Sequence, residues 1–341
     1  MKKQLKVGRE GDFYTSVFIG DAMARMISRF FLRCCKERGW NNEEVRIVEW
    51  GSGTGRLAYQ CIRALHKAGR LPKEYVLIEQ SSYHREESRR VLSSLQGGEI
   101  SLTMQWWDQE EWEQKAQDAP IFLIANELLD AFPVERVRCH GEHIEQAYVE
   151  MNAATNELEW FWMEPTDEVK RWICDHQINL HEGQIYEAGI YAARWLQQVL
   201  DQLHAAELLF LDYGDGTTEL TAEHRMEGTL LCYHRHQVND NPLVLPGEQD
   251  ITAHVDFDVM ARAAKGRGAI VHPLRTQQQF LLDEGILDEL CSHQSLDPFS
   301  KEARQNRAIR QLLLSDGMSE RFHVLHLSKG DDAMKRKTAG E

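Results

Sequence analysis

Apolar positions in the first part of the chain fall into two periods. Ile19, Met23, Met26, Ile27, Phe30 and Phe31 keep helical spacing, and Gly39 closes the helix they predict. Residues 45–50 are a short apolar strand. A glycine-rich turn follows, then a helix whose apolar face is Leu57, Ala58, Cys61, Ile62 and Leu65. Residues 75–79, 100–106 and 121–126 read as three more strands, with a charged helix at about 83–95 between the first two. Strands alternating with helices predict parallel βαβ units. The expected fold is therefore α/β, a doubly wound, mostly parallel sheet of about seven strands with helices on both faces.

The alternation breaks after the fourth strand. Residues 134–139, 143–151 and 158–163 carry hairpin signals, with a turn at 152–156. Helical spacing resumes at 188–204, a fifth core strand lies at 208–212, and a helix at 257–265. Residues 269–271 and 322–327 supply the last two strands. The expected organisation is 1–135 for an N-terminal loop and helix plus the first half of the sheet domain. Residues 136–187 form an inserted, substrate-covering subdomain, 188–330 the second half, and 331–341 a frayed tail.

The turn after the first strand carries the first chemical signal. It reads Glu49-Trp50-Gly51-Ser52-Gly53-Thr54-Gly55. Glycines let a backbone turn tightly and approach a ligand. A dinucleotide-binding turn has glycines at relative positions 1, 3 and 6, whereas here they fall at 1, 3 and 5 and the sixth position is Arg56. An acid before glycines at 1, 3 and 5 is the form seen in class I S-adenosylmethionine (AdoMet) methyltransferases; another nucleotide and a bare structural turn are the alternatives for the motif alone. Glu79 ends the second strand, where a carboxylate either accepts hydrogen bonds from ribose hydroxyls, of NAD as well as of AdoMet, or is a solvated strand-end acid. Asp108, after the third strand, is placed either for an adenine amino group or as a first-turn helix acid. Trp106 and Trp107 either wall that adenine or pack in the core.

The fourth strand ends in Asn126-Glu127-Leu128-Leu129-Asp130-Ala131-Phe132-Pro133. Strand ends at the carboxyl edge of such a sheet face the ligand crevice. An amide there can orient a nucleophilic nitrogen, and a carboxylate can pair with a guanidinium and accept its proton. Asn126, Glu127 and Asp130 are accordingly the candidate catalytic residues. Asp130 also suits the capping of a following turn.

Composition narrows the alternatives. The chain has 341 residues, 39 Lys plus Arg against 54 Asp plus Glu, and a net charge of −15. That balance argues against a broad nucleic-acid surface, which needs clustered cations. No apolar stretch approaches the roughly 20 residues that span a bilayer, and no apolar run follows the basic start, so neither a membrane span nor a signal peptide is expected. The seven cysteines form no CxxC, which points to reduced thiols and a cytoplasmic protein. His234 and His236 would share one face of a strand, with His254 as a third ligand, but no known metal-site spacing occurs and no metal is expected. GxSxG and GxxxxGK are absent, which removes a hydrolase elbow and a phosphate loop.

Taken in order, several segments resemble the MidA-type class I methyltransferases, whose eukaryotic members are mitochondrial complex I assembly factors. They are Gly11-Asp12-Phe13-Tyr14-Thr15-Ser16, the stretch from Glu49 to Gly55, and the stretch from Ala125 to Val134. Asp212-Tyr213-Gly214, Gly228-Thr229-Leu230 and the string from Pro246 to Phe257 follow, then Gln279-Phe280-Leu281. The resemblance implies a Rossmann-like class I methyltransferase fold with AdoMet as cofactor. In the characterised eukaryotic branch it implies symmetric dimethylation of a protein arginine. Carried onto this chain, the cofactor set is Glu49, Gly51, Gly53, Gly55 and Glu79, bordered by Asp12 and Thr15 of the N-terminal loop. Asp108 and Asn126 join it from the strand-end argument. Asn126, Glu127 and Asp130 would lie beside the transferred methyl. The expected partner is an arginine-bearing protein. A small-molecule acceptor, or an assembly factor that keeps AdoMet without strong turnover, are the alternatives. The oligomeric state is not legible from the sequence.

Overall fold

The structure, a computed structural model, describes residues 21–95, 100–235, 237–291, 297, 300–314 and 322–330. In chain order it begins with α1 (Ala22–Arg38), β1 (Arg46–Trp50), α2 (Arg56–Lys67), β2 (Glu74–Ile78) and α3 (Ser82–Ser93). Next come β3 (Thr103–Trp107), α4 (Gln109–Lys115) and β4 (Ile121–Asn126). Then follow β5 (Glu135–His140), β6 (His143–Asn152), β7 (Glu157–Met163), α5 (Asp167–Asp175) and β8 (Ile185–Ala188). After α6 (Ile190–Asp201) and β9 (Ala206–Asp215) come α7 (Thr217–Leu220), β10 (Leu231–His234), β11 (Gln237–Asn239), β12 (Asp250–Thr252) and β13 (Val255–Asp256). The chain closes with α8 (Phe257–Gly266), β14 (Ile270–Val271), β15 (Arg275–Thr276), α9 (Gln277–Asp283), α10 (Lys301–Leu314) and β16 (Phe322–Lys329).

Two compact units divide the chain. The first takes the chain up to Glu127, then Leu200–Leu211, then the chain from Gly268. The nine-stranded main sheet follows the path β14-β16-β9-β4-β1-β2-β3, the seven strands expected, with β15 pairing β16 and β13 pairing the end of β9 off that path. β1 pairs in parallel with both β2 and β4, and β4 with β9. β14 and β15 each pair antiparallel with β16. Burial explains the element types. Every residue of β1 and β2 is buried, which suits apolar runs with helices on both faces. α2 buries Leu57, Ala58, Cys61, Ile62 and Leu65, the face read from the sequence. α1 buries Met23, Met26, Ile27, Phe30 and Phe31, and Gly39 caps it in the left-handed region. Phe30 packs on Phe122 and Phe280 at ring distances of 5.9 and 5.5 Å.

The second unit comprises Leu128–Val199 and Asp212–Arg267. It contains the whole expected insertion and also residues 212–267. β7, β6, β5 and β8 form an antiparallel sheet whose β6–β7 turn lies where expected. Val137, Val169, Ile178, Tyr186, Ala188, Ile190 and Leu220 make its core. β11-β10-β12 is a second small sheet, which hydropathy did not reveal because strands of three or four residues carry no period. Three boundaries differ from the sequence reading. β3 starts at Thr103, α6 starts at Ile190 because Ile185–Ala188 is a strand, and β9 runs on to Asp215. The expected face shared by His234 and His236 does not form. β10 ends at His234, Arg235 turns with φ +48°, and His236 lies outside the described residues. Among the described residues, no helix is long and apolar enough to cross a membrane.

Candidate functional site

The site is built at the carboxyl ends of β2, β1 and β4. Register alone places it there: Trp50 is paired with Ile78 on one side and with Ala125 on the other. The next residues along each strand are Glu79, Gly51 and Asn126. Three sequence-predicted groups are thus brought side by side by the sheet.

Gly51, Gly53 and Gly55 all have positive φ, at 72°, 51° and 72°. Only glycine takes such a run without steric cost. The turn is fixed from below, where the Gly51 amide donates to the Ile78 carbonyl at 2.8 Å and the Gly55 amide to the Ser52 carbonyl at 2.9 Å. A Cβ on Gly53 would meet nothing within 4 Å, so the turn is open above it. A Cβ on Gly55 would lie 2.8 Å from Ser88 Cβ, so this glycine is needed for α2 and α3 to approach. Glu79 ties the turn to the second strand. One of its oxygens accepts from the Gly53 amide and the other from the Ser81 amide, each at 2.8 Å.

Glu49 lies beneath the turn, 3% exposed, and accepts the Tyr75 hydroxyl at 2.6 Å. Burial pushes its carboxyl up to about 8, against the Tyr75 hydrogen bond and with the help of the Glu79 charge. Glu49 therefore holds its proton to a higher pH than an exposed carboxyl does.

Asn126 ends β4 and Glu127 follows it. The Glu127 amide donates to the Leu211 carbonyl at 2.8 Å, and its φ is +52°. A left-handed non-glycine at a strand end is the strain often found at functional sites. Its Oε1 accepts from Asn126 Nδ2 at 3.2 Å. Asn126 Oδ1 and Ser52 Oγ are both buried with no hydrogen-bond partner in the protein. Buried polar atoms without a protein partner need one from outside the chain, and a ligand or water can supply it. With the open glycine turn and the Glu79 carboxylate, they suit a ligand carrying both ribose hydroxyls and an amino-acid moiety, as AdoMet does.

The other predicted residues are placed as follows. Asp108 N-caps α4 in a capping box, accepting the Glu111 amide at 2.9 Å, and is exposed. Trp107 is buried, and the half-buried Trp106 donates to Ser88 Oγ at 2.8 Å. Asp12 and Thr15, with the rest of their loop, lie outside the described residues. His254 donates its backbone amide to Thr229 Oγ1, and His234 Nδ1 lies 2.8 Å from the Glu248 carbonyl. All seven cysteines are free.

In the second unit, Asp130 is buried and hydrogen bonded to Asp212. Burial, and then the neighbouring Asp212 charge, hold its carboxyl well above the usual carboxylate range. Asp212 Oδ2 accepts the amides of Leu128, Leu129 and Asp130 at 3.0, 2.7 and 3.4 Å. Sequence reasoning gave Asp212 no role. The available signal was a lone acid at the end of the apolar run 208–211, where burial demands a partner.

A family profile described as "Putative S-adenosyl-L-methionine-dependent methyltransferase" matches residues 26–274. The chain is similar to the Rattus norvegicus protein named Protein arginine methyltransferase NDUFAF7, mitochondrial. The two are 26% identical over 348 residues, covering 94% of this chain and 75% of the relative. The Caenorhabditis elegans homolog of that protein is 24% identical over 301 residues, covering 84% and 68%. Among solved structures, a superfamily member from Burkholderia thailandensis bound to S-adenosyl-homocysteine superposes with a TM-score of 0.83 at 28% identity, covering 97% of this chain and 84% of that one.

Proposed function

Because the chain belongs to this family of S-adenosyl-L-methionine-dependent methyltransferases, we propose that the group it methylates is the guanidinium of a protein arginine. The observation that carries this reading is the carboxylate of Glu127. It sits at the carboxyl end of β4 in a left-handed turn, with the Asn126 amide on one of its oxygens. Glu49, Gly51, Gly53, Gly55, Glu79 and Asn126 would hold the cofactor.

When bound, AdoMet supplies a methyl on a positively charged sulfur, an electrophile that needs no metal. The protein's task is then to present a nitrogen in line and to remove a proton. Guanidinium is always charged in water and presents paired N–H donors that a carboxylate matches. Glu127 would accept those donors and orient the attacking nitrogen. As the new N–C bond forms, that nitrogen must lose a proton, and the same carboxylate is the base that receives it. The relatives named as protein arginine methyltransferases support this acceptor class.

The test is transfer of tritiated methyl from AdoMet to a pool of arginine-containing peptides, followed by acid hydrolysis and separation of the amino acids. Label in methylarginine, lost on Glu127→Gln and on Gly53→Arg, is expected. Label in another side chain overturns the arginine reading, as does label only in small molecules when a cell extract is the acceptor.

A further inference from the structure

We propose that Asp212, with Asp130 as its hydrogen-bond donor, is a positioning residue that holds the turn after Glu127 in its transfer-competent shape. The proposal rests on the arginine methyltransferase reading only for its activity readout.

The argument starts from unpaired backbone. Leu128, Leu129 and Asp130 follow the last strand residues of β4, so their amides have left the sheet ladder. Buried amides need acceptors. One oxygen of Asp212 supplies all three, and its other oxygen accepts the Tyr213 amide at 2.9 Å. Both oxygens therefore face N–H donors. Only a carboxylate has two such acceptors. Asparagine would set its NH2 against one set of these donors.

Asp130 adds a second hydrogen bond to the same group. Two buried carboxyls in contact cannot both carry charge. Asp212 already serves four amides, so it keeps the charge and Asp130 keeps the proton. The chemical consequence is an asymmetry. Asp130 acts as a neutral donor, which an asparagine can imitate. Asp212 acts as an anion, which an asparagine cannot.

The clamp bears on Glu127 through the chain. The Glu127 amide is held by the Leu211 carbonyl, and the next amide, that of Leu128, by Asp212. With the peptides on both sides fixed, the left-handed φ of +52° has no room to relax. The direction of the Glu127 Cα–Cβ bond follows.

The variants to compare in the full chain are Asp130→Asn, Asp130→Leu and Asp212→Asn. The readouts are AdoMet affinity by calorimetry, kcat for methyl transfer from tritiated AdoMet to the arginine peptide pool, and hydrogen exchange of the peptide covering residues 126–132. Asp130→Asn should keep kcat within about fivefold and keep exchange slow. Asp130→Leu and Asp212→Asn should each lower kcat by thirtyfold or more, speed that exchange, and leave AdoMet affinity within about threefold. Equal damage from Asp130→Asn and Asp130→Leu overturns the proposal, because Asp130 would then be acting as an ion. Wild-type kcat and exchange in Asp212→Asn overturn it as well. If Asp212→Asn fails to fold, the asparagine-against-leucine contrast at Asp130 decides alone. If the wild type labels no arginine peptide, the arginine reading fails, and the exchange arm still judges the clamp.

Discussion

Replacing Glu49 by glutamine should change how stability depends on pH. The carboxyl is 3% exposed and its ionisation is pushed from 4.5 up to about 8, by burial first and by the Glu79 charge, against the Tyr75 hydrogen bond. Between those two values the folded chain holds a proton that the unfolded chain has lost. Stability must then fall as pH rises through that window. The slope is about 1.4 kcal/mol per pH unit well inside it. From pH 5 to pH 7, Glu49 alone should cost about 2–3 kcal/mol of stability. Glutamine does not ionise, keeps an acceptor for the Tyr75 hydroxyl, and carries whatever penalty its extra NH2 imposes equally at each pH. The assay is urea unfolding of wild type and Glu49→Gln at pH 5, 6 and 7. All other titrating groups are common to both and cancel in the difference. The variant should gain on the wild type by about 2–3 kcal/mol across this range. A difference that stays constant within about 0.5 kcal/mol would refute the reasoning, since Glu49 would then ionise in the folded chain as it does in the unfolded one.

The glycine turn should separate two substitutions of the same size. Gly53→Ala should cost about 1–2 kcal/mol, for the left-handed backbone alone, whereas Gly55→Ala adds a 2.8 Å approach to Ser88 Cβ and should cost about 3 kcal/mol or more by thermal unfolding. Equal costs would show that α2 and α3 are not held as close as described. Glu74→Gln should cost about 3 kcal/mol. Arg46 and Glu74 are 4% and 5% exposed and pair at 2.7 Å, so the variant buries an uncompensated guanidinium; a loss below 1 kcal/mol in urea would contradict that. Glu79→Ala removes the acceptor for the Gly53 and Ser81 amides, and AdoMet affinity measured by calorimetry should fall at least tenfold. Unchanged affinity would remove Glu79 from the cofactor set.

Much of this site was legible in the residues because its parts are local. Glycines at 51, 53 and 55 between an apolar run and an amphipathic face determine a strand, a left-handed turn and a helix, since each conformation depends on side chains a few positions away. The chain also fixes which residues end β1, β2 and β4, and so which groups reach the carboxyl edge. Tertiary structure decided what those groups are. Nothing near Glu49 in sequence says that its carboxyl is pushed up; burial does so, against the hydrogen bond from Tyr75 on the neighbouring strand. Nothing near Asp130 in sequence names its partner either, because Asp212 lies 82 residues on. The small strands β12 and β13 likewise exist by pairing with segments distant in the chain rather than by any pattern of their own. Backbone shape follows from neighbours along the chain, whereas charge state and long-range pairing follow from what burial brings together, and only the folded protein specifies that.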